Sequence, residues 1–326
     1  MAYSFHVESF QTIETEWEHL LSNSVVNNIF LTPYWQKTWW ESMQTAGQEL
    51  RIVRFVDVDT TIGIAPLVKS DGLLTFLGGT DLWDIHDFIV TKGKELGFFQ
   101  ALMDYLEDEE WSEMRLESLL EGSPTLSHLP DLAKDKGYKV EQHEEDNLMG
   151  LSLPSTWEEY LSGLRKKDRH ELRRKLRRLE ESGDFHVEQI SDVQGVSEAM
   201  EDFLHLMGQS REEKSEFLTA ERGVFFKDMS LKLAQRGLLH LFFLQVGGVR
   251  TAATVCFDYN NVLSLYNSGH NTEYAALGTG FLLKALCLKN AICAGKDYFD
   301  LLRGTEPYKQ HLGANVQELH CLSILR

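Results

Sequence analysis

Short apolar runs alternate with helical repeats along the whole chain. Residues 50–58 and 61–68 are rich in β-branched side chains and predict two strands, and the polar break at Asp59–Thr60 suits a hairpin. Residues 95–106 carry an apolar stripe at helical spacing and predict a helix. Because strand and helix signals alternate throughout, we predict a mixed α/β (α+β) fold with mainly antiparallel sheets flanked by helices.

The second half of the chain repeats this pattern with sharper signals. Strands are predicted at residues 238–245, 249–257 and 262–268, with Gly247–Gly248 as a tight hairpin turn. A glycine turn follows at residues 276–280, then a helix at 281–294 and a strand at 298–302. A glycine turn between a strand and a helix exposes backbone N–H groups at the positive helix end, which suits phosphate oxygens. The alternative is an ordinary strand-to-helix turn.

A division of the chain is predicted near its middle. Residues 143–146 read as an acidic surface turn, and the chain of 326 residues is long enough for two cores. We therefore predict one domain over residues 1–153 and a second over residues 154–326. Each has the strands and helices needed for a sheet of its own.

A basic segment opens the second predicted domain. Residues 165–178 contain nine Lys or Arg against Asp168 and Glu171, a local charge of +7. We predict that Asp168 caps a helix, so that the cations just before it lie at a positive helix end where an anion is held. The alternative is that the basic residues cover a solvated helix face.

A polar loop in the first half is rich in possible ligands. Residues 81–87 contain three Asp and one His, and Asp84 and Asp87 are the better candidates for binding an amine substrate. The alternative is a loop that caps its own turn through Asx hydrogen bonds. We predict no metal, because there is no second ligand cluster.

Composition narrows the class of protein. The net charge of −18 argues against general nucleic-acid binding. Neither a secretory signal nor an apolar run long enough for a membrane span is visible. The four cysteines are scattered without CxxC spacing, which fits a reducing cytoplasm better than disulfides or zinc. We predict a cytoplasmic location, and the oligomeric state stays open.

Residues 267–313 resemble the core of the GNAT acyltransferase superfamily. Gly278 and Gly280 match the two small positions of the turn that holds the CoA pyrophosphate in that superfamily, while Ala275 stands where Gln or Arg is usual. The run YFDLLRG followed by Tyr308–Lys309 resembles the ending of acetyltransferases of cellulose and exopolysaccharide biosynthesis. It also resembles the ending of the Fem-type aminoacyltransferases of peptidoglycan.

The resemblance implies a fold and a donor. Two tandem GNAT-like domains are expected, with residues 1–153 on the acceptor side of a cleft and residues 154–326 catalytic. The donor is expected to be acetyl-CoA or a longer acyl-CoA, held by Gly278, Thr279 and Gly280 beside Asn267 and Ser268. Arg165 and Arg169 are expected to contact substrate phosphate, as this segment does in Fem-type enzymes.

Candidate catalytic residues follow the last predicted strand. Acyl transfer needs a deprotonated nucleophile, donors for the oxyanion and a proton for the leaving group. Asp300 is a candidate for orienting or deprotonating the acceptor, and Tyr308 for protonating the thiolate. By resemblance, Lys309 faces the acceptor or the transferred carbonyl, so replacement of Lys309 by Ala should abolish transfer and spare the fold. Structural roles are the alternative for all three.

Two further residues complete the predicted site, namely Arg303 as a substrate contact and His270 as a weaker candidate base. The predicted function is acyl-CoA-dependent N-acyl transfer to an amine of a small molecule or of a sugar-linked or lipid-linked precursor of the cell envelope or a polysaccharide. The first alternative is a Fem-type transferase that uses aminoacyl-tRNA and a peptidoglycan precursor. The second is a non-catalytic binding module with a degenerate donor turn.

Overall fold

The computed structural model describes residues 3–326, and these form two compact units. The first unit contains the described residues up to Asn147 together with Gln317–Arg326, and the second contains Leu148–Val316. The unit boundary thus falls a few residues before the predicted division at 153/154, and the end of the chain belongs with the first unit. The assignment of an acceptor side to residues 1–153 and of catalysis to residues 154–326 stays a prediction.

The described residues form strands and helices in alternation. The strands are β1 (Tyr3–Glu8), β2 (Glu49–Asp57), β3 (Thr60–Ser70), β4 (Leu73–Phe76), β5 (Ile89–Val90), β6 (Glu113–Leu120), β7 (Lys139–Ser152), β8 (Phe185–Ile190), β9 (Leu239–Val246), β10 (Val249–Tyr259), β11 (Val262–His270), β12 (Tyr298–Arg303) and β13 (Asn315–Leu325). The helices are α1 (Phe10–Ser22), α2 (Pro33–Met43), α3 (Glu95–Asp108), α4 (Pro124–Asp135), α5 (Trp157–Gly163), α6 (Lys166–Glu181), α7 (Val193–Ser210), α8 (Glu212–Phe217), α9 (Ala220–Gln235), α10 (Thr279–Cys293) and α11 (Pro307–His311).

The sheet of the first unit follows the order β1-β2-β3-β4-β6-β13, and β5 pairs with β3. Its pairs are antiparallel except for β4 with β6. Helices α3 and α4 cover an aromatic core in which Phe55, Phe98 and Phe99 are fully buried. Burial of side chains of this size is the main stabilising term for such a unit.

The sheet of the second unit follows the order β7-β12-β11-β10-β9-β8, with β7 contributing Leu148–Ser152. Only the pair β11 and β12 is parallel. Leucines of α6 (Leu172, Leu179) and of α10 (Leu282, Leu288) are buried in one core with this sheet. The packing of these two helices in this core therefore fixes the positions of their first turns.

The two units share one order of elements. Three antiparallel strands come first, and a helix then leads to a strand parallel to the third, as β9-β10-β11-α10-β12 in the second unit. The first unit has the corresponding order β2-β3-β4-α3-β6, with the short strand β5 inserted before α3. A parallel neighbour requires a crossover connection, which α3 and α10 provide. The predicted mixed α/β class with mainly antiparallel sheets is confirmed.

Two local predictions are wrong. The acidic residues 143–146 do not form a turn but lie within the long strand β7. Asp168 does not cap its helix, because α6 begins at Lys166 with Arg165 as its N-cap residue. Asp168 instead lies in the first turn of α6, where its negative charge interacts favourably with the positive end of the helix.

Candidate active site

The central strands of the second unit separate along their length. β11 pairs with β12 only where Val262–Ser264 meet Tyr298–Asp300. Beyond Ser264, β11 continues to His270 with no further pairing to β12 in residues 3–326. A register shift opposite Val255 and Cys256 leaves Tyr266 as an extra residue in β11, which is the geometry of a β-bulge. The edge of β11 that faces β12 is therefore open from Leu265 onward.

The glycine turn begins α10 next to this opening. Gly278 has a φ of 72°, in the left-handed region that glycine adopts without strain. A β-carbon on Gly280 would lie 3.0 Å from the His270 ring, so the turn approaches β11 closely. Within residues 3–326, the N–H groups of Thr279 and Gly280 have no hydrogen-bond acceptor, and the buried Thr279 hydroxyl has no partner. The helix end thus offers free donors to an anion.

A cation from the basic segment reaches this turn. The Nζ of Lys175 would lie 3.3 Å from a β-carbon on Gly278, and its carboxylate neighbour is Glu171 at 3.5 Å. Helix α6 therefore brings one ammonium group to the start of α10. The structure joins two features that the sequence presents separately, the basic segment and the glycine turn.

Arg165 and Arg169 point elsewhere. Arg165 Nε donates to Asp168 Oδ2 at 2.6 Å, and Arg169 Nη1 donates to the carbonyl of Ser162 at 3.0 Å, at the C-terminal end of α5. Asp168 is only 6% exposed and also accepts from His311 Nδ1 at 2.8 Å. Burial raises the pKa of Asp168, but the hydrogen bonds from Arg165 and His311 outweigh burial and leave the pKa lowered. Phosphate contact by the two arginines stays a prediction.

A cavity of about 450 Å³ lies beside Arg165 and Asp168. Glycine and small residues after α11 form its other wall, including Gly313 and Ala314. The cavity lies wholly within the second unit.

Lys214 of α8 lies at the open end of β11. Its Nζ donates to Asn267 Oδ1 at 2.8 Å and to the carbonyl of Ser268. Burial and the nearby charges of Lys284 and Arg211 lower the pKa of Lys214 to about 7. The Ser268 N–H donates to Asn267 Oδ1 at 2.8 Å, so this amide is already engaged.

Lys284 of α10 is buried one turn beyond the glycine turn. Its Nζ donates to the Gly280 carbonyl at 3.1 Å and lies 4.9 Å from the centre of the Tyr308 ring. Burial lowers the pKa of Lys284 to about 8. Burial also lowers the pKa of His270, and the charges of Lys284 and Lys214 add to the effect. These groups therefore share one electrostatic environment.

Lys309 is buried on α11, and its side chain reaches back to the residues that end β12. Its Nζ donates to the carbonyls of Leu302 (3.1 Å), Arg303 and Gly304 (3.0 Å), and it lies 3.0 Å from a carboxylate oxygen of Glu306. The three donors of an ammonium group are thus occupied by the main chain. Lys309 holds the shape of the loop between β12 and α11, and its direct part in catalysis stays a prediction.

Asp300 and Tyr308 are also engaged locally. Asp300 Oδ1 accepts the Leu302 N–H at 2.8 Å, next to an irregular step in the pairing of β12 with β7. Burial raises the pKa of the Tyr308 phenol, and the charge of Glu306 raises it further. A raised pKa makes Tyr308 a weaker acid than the predicted role requires. Arg303 is half-buried at the end of β12.

Asp84 and Asp87 lie in the first unit. Asp84 is half-buried. The Asp87 carboxylate is 1% exposed and accepts from the Ser123 hydroxyl (2.6 Å), the Thr125 hydroxyl and the Phe88 N–H (2.8 Å). It therefore ties its loop to the start of α4, and substrate binding by either residue stays a prediction.

Several residues of the candidate site were not predicted. Lys284 could have been recognised from the sequence, because it is a charged residue within the apolar run FLLKALCL. Lys214 could not, because the segment EEKSEF resembles any exposed helix. Arg211, Glu306 and His311 lack a local signal as well. These side chains meet only through the tertiary fold.

No group of His, Cys, Asp or Glu in residues 3–326 is arranged to hold a metal ion. In the same range, no helix has the length and apolarity that would let it cross a membrane.

Comparison with known proteins identifies the fold. Residues 166–310, within the second unit, match the family model described as an acetyltransferase (GNAT) domain. No curated protein matches the chain. Among solved structures, FemX superposes with a TM-score of 0.69 at 13% identity, covering 98% of this chain and 96% of FemX.

Two other solved structures share the fold over nearly the whole chain. A tandem GNAT protein from the clavulanic acid biosynthesis pathway gives a TM-score of 0.54 at 9% identity, covering 98% of each chain. The C-terminal domain of a putative lysylphosphatidylglycerol synthetase from Agrobacterium fabrum gives 0.61 at 10% identity, covering 98% of this chain and 92% of that one. The predicted GNAT resemblance is confirmed at the level of the fold, and the cellulose or exopolysaccharide type stays a prediction.

Proposed function

We propose that this protein is an acyl-CoA-dependent N-acyltransferase whose donor site lies in the second unit. The observation that carries the proposal is the start of α10. Two free backbone N–H groups, at Thr279 and Gly280, and the ammonium of Lys175 converge there, beside the open edge of β11. A pyrophosphate has the charge and the acceptor oxygens that this arrangement requires.

The open edge of β11 suits the rest of the donor. An extended chain with amide groups, such as the pantetheine arm of CoA, pairs with an unpaired strand edge as another strand does. The edge leads from the glycine turn toward Asn267 and Ser268, where the half-buried Lys214 lies. We place the reacting thioester at that end of the edge.

The acceptor in this proposal is an amine. A thioester is attacked by a neutral amine. The positive charges of Lys284 and Arg211 disfavour a further positive charge on the acceptor, so they favour loss of the proton from an acceptor ammonium group. Asp300 and Tyr308 are carried over from the sequence as candidate catalytic residues, and Lys309 is assigned a positioning role because its ammonium is bound by main-chain carbonyls. The class of acceptor is the one predicted from the sequence. It is an amine of a small molecule or of a precursor of the cell envelope or of a polysaccharide.

The first prediction concerns donor binding. The purified protein should bind acetyl-CoA, measured by native mass spectrometry and by titration calorimetry, with palmitoyl-CoA and free CoA compared in parallel. Replacing Lys175 with Met should weaken binding by about 5- to 30-fold, because one charge-assisted contact of about 1–2 kcal/mol is lost. The matched control is K289M, which removes an exposed lysine from the same helix that carries the turn. Failure of the wild-type protein to bind any CoA species would refute the proposal.

A Fem-type activity is the second candidate, because α6 exposes further cations such as Arg177 and Arg178 and the fold matches FemX. That reading predicts binding of aminoacyl-tRNA in place of acyl-CoA, with an affinity that falls steeply as salt rises. Binding of CoA without any transfer would instead favour a non-catalytic module. The same titrations, run with aminoacyl-tRNA at two salt concentrations, separate the two donors, and a measurement of CoA release separates the transferase from the non-catalytic module.

A further inference from the structure

Lys214 lies at the part of β11 that does not pair with β12. It lies on α8, and its Nζ reaches the end of β11, where the strand has left β12. Both of its hydrogen-bond partners, Asn267 Oδ1 and the Ser268 carbonyl, are neutral acceptors. No carboxylate in residues 3–326 lies within ion-pair distance of it.

The charges around Lys214 come from several elements and are mostly positive. Lys284 on α10, Lys309 on α11 and Arg211 before α8 oppose its protonation, and Glu306 in the loop before α11 is the acid that favours it. His270 on β11 shares the same field. Burial acts in the same direction as the cations and has the larger effect, which accounts for a pKa near neutrality.

The hydrogen bonds of Lys214 suit a neutral amine. A neutral amine has two N–H groups and one lone pair. The two N–H groups match the two acceptors, and the lone pair stays available to take up a proton. An ammonium group would leave its third N–H without a charged partner in a half-buried position.

The geometry points to Lys214 as the general base of acyl transfer, an inference that rests on the proposed function. As the nitrogen of the acceptor attacks the thioester carbonyl, the N–C bond forms and the C–S bond breaks. The proton lost by the nitrogen passes to the Lys214 lone pair and then to solvent. The sulfur leaves as the CoA thiolate, which takes up a proton from solvent. The products are the amide and free CoA, and no oxidant or further reactant is needed.

The protonation of Lys214 is tested directly by NMR titration of protein labelled with ¹³C at the lysine side chains. The K214R variant assigns the Lys214 Cε signal by its disappearance. We expect this signal to titrate with a midpoint near pH 7 in the free protein. A midpoint above pH 9 would overturn the inference.

The role in transfer is tested through release of CoA from acetyl-CoA to water, followed by chromatography between pH 5.5 and 9. This reaction needs no identified acceptor, and the attacking water must also lose a proton. The wild-type rate should rise to a plateau with a midpoint near 7, and K214M and K214R should both lose that rise together with about 100-fold or more of the rate. K214R keeps the charge but cannot act as a base, so a K214R protein with the wild-type rate would overturn the inference. If the wild-type protein releases no CoA to water, the NMR midpoint decides.

A control separates this result from the proposed function. K289M should retain the wild-type rate and pH profile. Acetyl-CoA binding by the Lys214 variants, measured by calorimetry, should stay within about threefold of the wild-type value. Failure of the wild-type protein to bind acetyl-CoA would contradict the proposed function. Intact acetyl-CoA binding together with unchanged turnover in K214M would contradict only the role of Lys214 as the base.

Discussion

The Asp87 carboxylate is buried in the first unit with three hydrogen-bond donors around it. Burial raises its pKa to about 6, although the hydrogen bonds from Ser123 and Thr125 act to lower it. The unfolded chain has a value near 4 for this group. The folded state therefore holds a proton more tightly, and the stability that this proton contributes is complete below about pH 4 and is lost as the pH rises through 6.

We predict that this single group makes the first unit less stable as the pH rises from 4 to 6. The shift corresponds to a change on the order of 3 kcal/mol in the free energy of unfolding. The measurement is urea unfolding of the wild-type and D87N proteins, followed by tryptophan fluorescence, because six of the seven tryptophans lie in the first unit. The difference between the two proteins should vary with pH over this range.

The control for this prediction is D59N, which alters an exposed aspartate in the turn between β2 and β3. A change with pH in D59N as large as that in D87N would show that the effect does not belong to Asp87. A difference between D87N and the wild-type protein that is constant with pH would show that Asp87 is ionised at the same pH in the folded and unfolded states.

Lys309 is the residue for which the structure changes the expectation most. The sequence predicts that its replacement by Ala abolishes transfer and spares the fold. In the structure its ammonium joins the carbonyls of Leu302, Arg303 and Gly304, and Glu306 lies beside it. Removal of the ammonium would leave several buried acceptors unsatisfied and one carboxylate unpaired.

We predict that K309M destabilises the second unit by about 3–5 kcal/mol. The readout is hydrogen–deuterium exchange of peptides from β12 and α11, which should lose protection in K309M and keep it in K289M. Full protection together with lost acyl transfer would instead support the catalytic role that the family resemblance suggests.

At the scale of elements, periodicity and turn residues predict much of the fold. The hairpins at Asp59 and at Gly247–Gly248 and the helix after the glycine turn follow from local rules about φ angles and apolar spacing. The start of α6 does not, because its N-cap residue is Arg165 and the Asp168 side chain bonds to Arg165 and His311 instead of capping. His311 is far from Asp168 in the chain, so no local rule could have included it.

The candidate site shows the same limit at the level of elements. The glycine turn was visible because Gly278 and Gly280 are needed by the backbone itself. Lys175 was one of many basic residues on a helix, and only the packing of α6 beside α10 distinguishes it from its neighbours. Lys214 depends on a short helix whose position is set by tertiary contacts. The residues that a backbone turn requires can be recognised from the local sequence. The convergence of side chains from distant segments cannot.

At the scale of the whole molecule, nearly all of the net negative charge lies in the first unit. The first unit has 11 Lys and Arg against 28 Asp and Glu, a formal charge of −17, whereas the second has 21 against 22, a formal charge of −1. The net charge of −18 therefore says little about the second unit. An anionic donor such as acyl-CoA meets strong repulsion from the first unit alone.

The N-terminal ends of the crossover helices α3 and α10 also differ in charge. The first residue of α3 is Glu95, whose carboxylate accepts the Gly93 N–H at 2.9 Å, so a negative charge already occupies that helix end. The corresponding end of α10 has free N–H groups and Lys175 nearby. The shared order of elements therefore does not imply two equivalent donor sites.

We predict that each chain binds one acyl-CoA, although both units contain three antiparallel strands and a crossover helix that leads to a parallel strand. Native mass spectrometry at saturating acetyl-CoA should show a single added ligand per chain. Its occupancy should fall in K175M, while E95Q, which removes the carboxylate from the start of α3, should leave it unchanged. Two ligands per wild-type chain, or one ligand whose binding ignores Lys175, would contradict the assignment, because either result would require a donor site built from something other than the start of α10.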